Sequence, residues 1–132
     1  MTVVIDASVT VAALIDGGPI GRWADALLAE DDVAAPHLVL VESANALRRA
    51  AIAGDITGEV ASLAHADLLR VRIALVDYEP FAGRVWELRA TVTSYDAWYV
   101  AVAERIGAPL ATLDRRLARA AGPRCEFILP GR

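Results

Sequence analysis

Short β-rich runs alternating with longer helical stretches, and aspartates closing two of those runs, predict an α/β domain of three layers, with a central, mostly parallel sheet flanked by helices. The 132 residues suit a single domain spanning 1–132, long enough to bury a real core. TVVID (2–6) is β-branched and forms the first strand. ASVTVAALI (7–15) and IGRWADALLAE (20–30) are helical and are parted by the breaker DGGP. DDVAAP (31–36) supplies a short second strand. LVLVESANALRRAAIAG (38–54) carries apolar residues at helical spacing and stops at Gly54. TGEVASLAHADLLR (57–70) is a further helix with Thr57 as its cap. VRIALVD (71–77) is a strand, and EPFAGRVWELRATVT (79–93) a helix whose Pro80 suits a first turn. SYDAWYVAVAERIG (94–107) is a helix capped by Ser94 and ended by Gly107. APLATLD (108–114) is a strand closed by Asp114, RRLARAAG (115–122) a short helix, and CEFIL (125–129) a last strand. The chain contains no internal repeat, low-complexity tract or linker.

Composition removes several function classes. No apolar run approaches the roughly 20 residues of a membrane helix. No basic segment opens the chain and Asp6 interrupts the first apolar run, so no secretory leader is expected and the protein is placed in the cytoplasm. Cys125 is the only cysteine, which rules out an internal disulfide and a cysteine-based zinc site; in a strand it is expected to be a buried, inert thiol. All 13 basic residues are arginine. Without lysine there is no P-loop, no Schiff-base chemistry and no phospho-accepting receiver site of the usual kind. The net charge of −4 argues against an unaided grip on nucleic acid. A hydrophobic content of 56% is consistent with apolar surface covered by a partner.

Four acids stand out. Asp6 follows Val3-Val4-Ile5, where nothing in the local pattern asks for a charge and an unpaired one resists leaving water. Asp114 also closes a strand. In parallel α/β sheets ligands bind beyond the carboxyl ends of the strands, so both acids are expected to face that crevice. Glu42 interrupts an apolar helical stretch, LVLVESANALRRA, although the edge of an amphipathic helix would look the same. Asp96 lies in the first turn of its helix, where an acid also favours the helix dipole. Clustered carboxylates raise one another's pKa, and a site that tolerates four of them normally holds cations. An all-oxygen ligand set favours Mg²⁺ or Mn²⁺ over zinc. His37 and His65 are expected at the surface or as filler.

These motifs resemble the PIN-domain ribonucleases, and most closely the small VapC-type toxins of bacterial toxin–antitoxin pairs. The resemblance is carried by VVIDASV, ESANALRRA, YDAWYVAVAE and LATLDRRLA, and their order and spacing cover essentially the whole chain. It implies a PIN-like fold with an acidic pocket at the carboxyl edge of the sheet. The family's acidic positions fall on Asp6, Glu42, Asp96 and Asp114, and its supporting polar positions on Ser8, Asn45 and Thr112. Leu117 departs from the family pattern, where an aromatic is frequent; packing rather than chemistry should feel this. Asn45 lies three residues after Glu42 on one helical face, where an amide can orient a carboxylate or a metal-bound water, or simply pack locally. Thr112 can hold a neighbouring carboxylate or a phosphate oxygen, or serve only as a β-former.

The reaction implied is hydrolysis of RNA by carboxylate-held Mg²⁺ or Mn²⁺, leaving a 5′-phosphate and a 3′-hydroxyl. Setting the four acids aside leaves acids and arginines in balance, and bound divalent ions would offset the site's own charge. Arg48, Arg49, Arg115, Arg116 and Arg119 can then meet phosphates with bidentate geometry, or lie on solvated helix faces. Trp98 and Tyr99 are expected in a core or an interface rather than stacked on bases. The resemblance further implies a homodimer and a cognate VapB-type antitoxin whose C-terminal segment enters the acidic cleft. Alternatives are a non-catalytic PIN-like module binding RNA or protein, and a PIN nuclease of RNA processing outside toxin–antitoxin systems. An upstream antitoxin reading frame would separate the last of these.

Overall fold

The structure, a computed structural model, describes residues 1–131. Five strands, β1 (Thr2–Ile5), β2 (Asp32–Pro36), β3 (Ala74–Val76), β4 (Leu110–Ala111) and β5 (Phe127–Ile128), form one sheet in the order β3-β2-β1-β4-β5. All four pairings are parallel; Val4 sits opposite Ala34 on one side and Leu110 on the other. A parallel sheet covered by helices is buried on both faces, which is why its inner strands are continuous apolar runs rather than alternating ones. Val3, Val4, Ile5, Ala35, Leu110 and Ala111 are all buried.

The helices are α1 (Ala7–Ile15), α2 (Pro19–Glu30), α3 (Leu38–Ile52), α4 (Gly58–Leu68), α5 (Ala82–Glu87), α6 (Ser94–Ile106) and α7 (Arg115–Ala118). They flank the sheet and complete the three-layer α/β fold. The apolar α6 packs on β1, β2 and β4, while α1 packs against α2 and α3. Gly21 allows the tight α1–α2 junction: a Cβ there would lie 1.7 Å from the Asp16 carbonyl oxygen. No helix among the described residues is long and apolar enough to cross a membrane.

Several boundaries differ from those the sequence predicts. The helix expected over 79–93 breaks into a 3₁₀ turn (Glu79–Phe81), α5 and a run of turns. Thr93 explains its end, because its hydroxyl accepts the Asp96 N–H at 3.2 Å and holds extended backbone. Thr93, not Ser94, therefore caps α6. Gly107 does end that helix, in the left-handed region at φ 67°, and Thr57 does cap α4. The strand expected over 108–114 is cut to Leu110–Ala111, because the Thr112 hydroxyl takes the Asp114 N–H and turns the chain. The strands at 71–77 and 125–129 shorten to three and two residues, and α7 keeps four of its eight expected residues.

Arg84 on α5 joins α6 to the approach to β5. It donates to both Glu104 carboxylate oxygens, at 2.7 and 3.1 Å, and to the Gly122 carbonyl at 2.9 Å, while the Arg124 N–H also reaches Glu104. Burial works to raise the Glu104 pKa, but the Arg84 bond and its neighbours outweigh it and hold the carboxyl below its ordinary value. Cys125 is half-buried nearby, and burial pushes its thiol up to about 11, in keeping with an inert role.

Candidate active site

The order of strands reverses about β1, with β2 on one side and β4 on the other, so the crevice of this sheet lies beyond the carboxyl ends of β1 and β4. Asp6 stands there. It is the N-cap of α1 and only 8% exposed. Its Oδ1 accepts the Ser8 N–H at 3.0 Å and the Ser8 hydroxyl, and its Oδ2 accepts the Thr112 hydroxyl at 2.5 Å. Each hydroxyl is itself fixed by a backbone donor: Leu113 N–H reaches Ser8 Oγ and Asp114 N–H reaches Thr112 Oγ1, both at 3.0 Å. The carboxylate at the end of the first strand is thus stitched to the turn after β4. Burial still raises its pKa above the ordinary value, despite the Ser8 and Thr112 bonds.

Asp96, half-buried in the first turn of α6, also has a raised pKa, first from burial and then from the charges of Asp114 and Asp6. Asp114 is exposed and caps α7, with Oδ1 accepting the Arg116 and Leu117 N–H groups. Asp96 and Asp114 line an open cleft of about 440 Å³ with Thr91, Thr93 and Arg116. Glu42 lies on a second side. It lines a cleft of about 460 Å³ with Ser8, Asp16 and Arg49, and its Oε1 accepts the Tyr99 hydroxyl at 2.6 Å. Asp6 lies between the two: it bonds Ser8, which lines the second cleft, and Thr112, whose hydroxyl holds the N–H of Asp114 in the first.

Among the described residues no three acidic, histidine or cysteine groups converge tightly enough to hold one ion directly. Mg²⁺ does not require that: it keeps several waters and binds through one or two carboxylates. Burial raises the proton affinity of Asp6 and Asp96, the charges of Asp114 and Asp6 raise that of Asp96 further, and the donor set is all oxygen, so these residues fit a hard divalent cation. None of the ion pairs among the described residues involves Asp6, Glu42, Asp96 or Asp114.

The supporting residues divide. Ser8 and Thr112 hold Asp6, whereas Asn45 is exposed on α3. Next to Glu42 it is Ser43, fully buried, that bonds Thr10 at 2.5 Å and ties α3 to α1. Arg49 and Arg116 each line a cleft. Arg119 is exposed, and Arg48 lies by α4 in a shallow groove with Ser62 and His65. Arg115 is committed elsewhere, donating to the Pro130 carbonyl at 2.9 Å. His37 and His65 are at the surface. Leu117 packs in the core, and Trp98 packs edge-on against Tyr78 with ring centroids 5.3 Å apart. Tyr99 lies in the core as expected, but its hydroxyl belongs to the site. Burial, then the bond to Glu42, keeps its proton on far above the ordinary range. Its signal in the sequence was its place three residues after Asp96, on the same side of the helix.

A family model described as the PIN domain matches residues 3–123. Ribonuclease VapC1 of Mycobacterium tuberculosis is 40% identical over 131 residues, covering 96% of each chain. Among solved structures, PAE2754 from Pyrobaculum aerophilum superimposes with a TM-score of 0.70 at 25% identity, covering 96% of this chain and 83% of that one. VapBC2 from Rickettsia felis, bound to a DNA fragment from its promoter, gives 0.69 at 15% identity over 98% of each chain. The fold, the acids at its carboxyl edge and these matches agree: the chain belongs to the PIN-domain family, alongside the VapC ribonucleases.

Proposed function

We propose that this chain is a Mg²⁺- or Mn²⁺-dependent endoribonuclease, the toxin of a cytoplasmic toxin–antitoxin pair. The observation that carries the reading is the buried Asp6 carboxylate, gripped through both oxygens by Ser8 and Thr112, together with Asp96, which feels the charges of both Asp114 and Asp6. A site that merely bound RNA or protein gains nothing from holding like charges together at the cost of desolvation. The 40% identity to a protein named as a ribonuclease supports the same chemistry.

Asp6, Glu42, Asp96 and Asp114 would hold the cation, directly or through water. When bound, Mg²⁺ or Mn²⁺ supplies an activated water and charge stabilisation at the phosphodiester. The protein's part is to keep the carboxylates in place. Asp6 has no freedom to turn, because both its oxygens are bonded. Asp114 has one oxygen tied to the start of α7 and the other free. Arg116 in one cleft and Arg49 in the other suit the phosphates on either side of the one that is cut, leaving a 5′-phosphate and a 3′-hydroxyl.

A VapB-type antitoxin would inhibit by placing a basic side chain among the same carboxylates. The exposed Val41, Ile52, Leu63 and Leu69 of the α3–α4 region are apolar surface of the kind a partner or a second copy covers, and a homodimer is part of the reading.

The test is incubation of wild type and Asp96→Asn with total bacterial RNA in Mg²⁺ or Mn²⁺, mapping new 5′-phosphate ends. Discrete cuts from wild type alone, abolished by chelator, are expected. Equal cutting by both proteins would overturn the carboxylate mechanism.

A further inference from the structure

Three of the four acids are fixed by the backbone they stand on. Asp6 and Asp114 are helix caps, and Asp96 sits in a capped first turn. Glu42 is different: it is in the middle of α3, on a longer side chain, half-buried at the edge of a cleft. Left alone, such a side chain samples several rotamers, and that freedom is lost when it is recruited to a ligand. What restrains it is one contact, the Tyr99 hydroxyl at 2.6 Å from Oε1. Tyr99 is 1% exposed and is carried by α6, the helix that also carries Asp96. A packed tyrosine has few rotamers, its single O–H proton is given to Glu42, and Oε2 is left for another partner.

We propose that Tyr99 is a positioning residue: through its hydroxyl it locks the Glu42 carboxylate in register with Asp96 and Asp6, so that the cation site is set before the cation arrives. It acts through Glu42 and touches neither RNA nor metal. The inference rests on the metal-dependent reading above and adds a residue outside the acidic set. Partners that orient a metal ligand commonly change metal affinity by about 10- to 100-fold.

The experiment is a Mn²⁺ titration of the full chain, followed by the electron paramagnetic resonance signal of free Mn²⁺, for wild type, Tyr99→Phe, Glu42→Gln and the double variant, with thermal melts alongside. Tyr99→Phe should bind about tenfold more weakly, and in the Glu42→Gln background the same change should cost no further affinity. Raised Mn²⁺ should recover part of the RNA cleavage that Tyr99→Phe loses. Glu42→Asp, which keeps the charge but draws the carboxylate back from the hydroxyl, should show a comparable loss and covers the case in which Tyr99→Phe folds poorly. Wild-type affinity in Tyr99→Phe or Glu42→Asp overturns the proposal. So does an equal loss with and without Glu42, which is the signature of general loosening of α6. Absence of Mn²⁺ binding by wild type itself defeats the metal reading and this inference with it, and is told apart because no variant then differs.

Discussion

Thr112 donates its hydroxyl proton to Asp6 Oδ2 at 2.5 Å, joining residues 106 apart in sequence at the carboxyl ends of two neighbouring parallel strands. Thr112 Oγ1 in turn accepts the Asp114 N–H, so one fully buried hydroxyl sets two of the four acids. Thr112→Val keeps the shape and removes both bonds. The expected cost is about 2 kcal/mol of stability, since buried partners are left unsatisfied. RNA cleavage should fall by at least about tenfold. Thr112→Ser, which keeps the hydroxyl, should retain most of both. Denaturant melts and a cleavage time course check this; a Thr112→Val protein that cuts like wild type would remove Thr112 from the site.

The raised pKa of Asp96 makes stability fall with rising pH. A carboxyl with a higher pKa in the folded than in the unfolded chain binds its proton more tightly when folded. Its stabilising contribution is complete below the ordinary value of 3.8 and is lost as pH rises through the raised one. Asp96→Asn removes that dependence. In the presence of a chelator the variant should therefore gain in melting temperature over wild type as pH climbs from about 3.8 toward neutrality. Adding Mn²⁺ should shrink the gap, because the ion stabilises only the charged wild-type site. A gap that stays constant across this window means that folding does not raise the Asp96 pKa, through burial or through the Asp114 and Asp6 charges.

Arg115 and Arg116 are adjacent but serve different ends. Arg116 lines the cleft beside Asp96 and Asp114, while Arg115 is half-buried on the Pro130 carbonyl. Arg116→Ala should weaken RNA binding and lower the slope of log affinity against log salt by about one unit, with little change in melting. Arg115→Ala should do the reverse. Filter binding across a salt series, set beside thermal melts, separates the two. Equal salt slopes for wild type and Arg116→Ala would mean that this cleft does not carry the RNA.

The features legible in the sequence were those written in local chemistry. The parallel sheet followed from short β-rich runs, such as Val3-Val4-Ile5, alternating with helical stretches, and the crevice from acids closing two of those runs. Thr57 and Gly107 marked helix ends because capping and left-handed backbone depend on one residue each. The misreadings arose where a side chain competes with the backbone. Thr112 reads as a strand residue and Thr93 as the tail of a helix, yet each hydroxyl takes a backbone N–H two or three residues on and ends or begins an element. The partner of Glu42 was hidden for another reason. Asn45 sits at the right spacing along one helix, but Tyr99 reaches Glu42 from a different helix, and such contacts belong to packing rather than to spacing.

The clamp around Glu104 links the far end of the sheet to the site. Arg84 and Glu104 side chains are 20% and 15% exposed and meet through two bonds, so this is a largely buried pair whose breakage leaves an uncompensated charge. Arg84 also holds the Gly122 carbonyl, and Glu104 the Arg124 N–H, which together anchor the approach to β5. That short strand matters because β5 and the residue before it accept from β4 and the residue after it: Leu110 N–H bonds the Glu126 carbonyl at 2.9 Å and Thr112 N–H the Ile128 carbonyl at 3.0 Å. Arg84→Met should therefore cost about 3 kcal/mol and free β5 first. In hydrogen exchange, the Leu110 and Thr112 amides should lose protection before those of Val3 and Val4, which pair within the centre of the sheet. A loosened Thr112 should in turn weaken its hold on Asp6, so Mn²⁺ affinity should drop although Arg84 faces neither cleft. If the amides of β1 and β4 lose protection together, the sheet opens as one unit and the clamp has no directed path to Asp6.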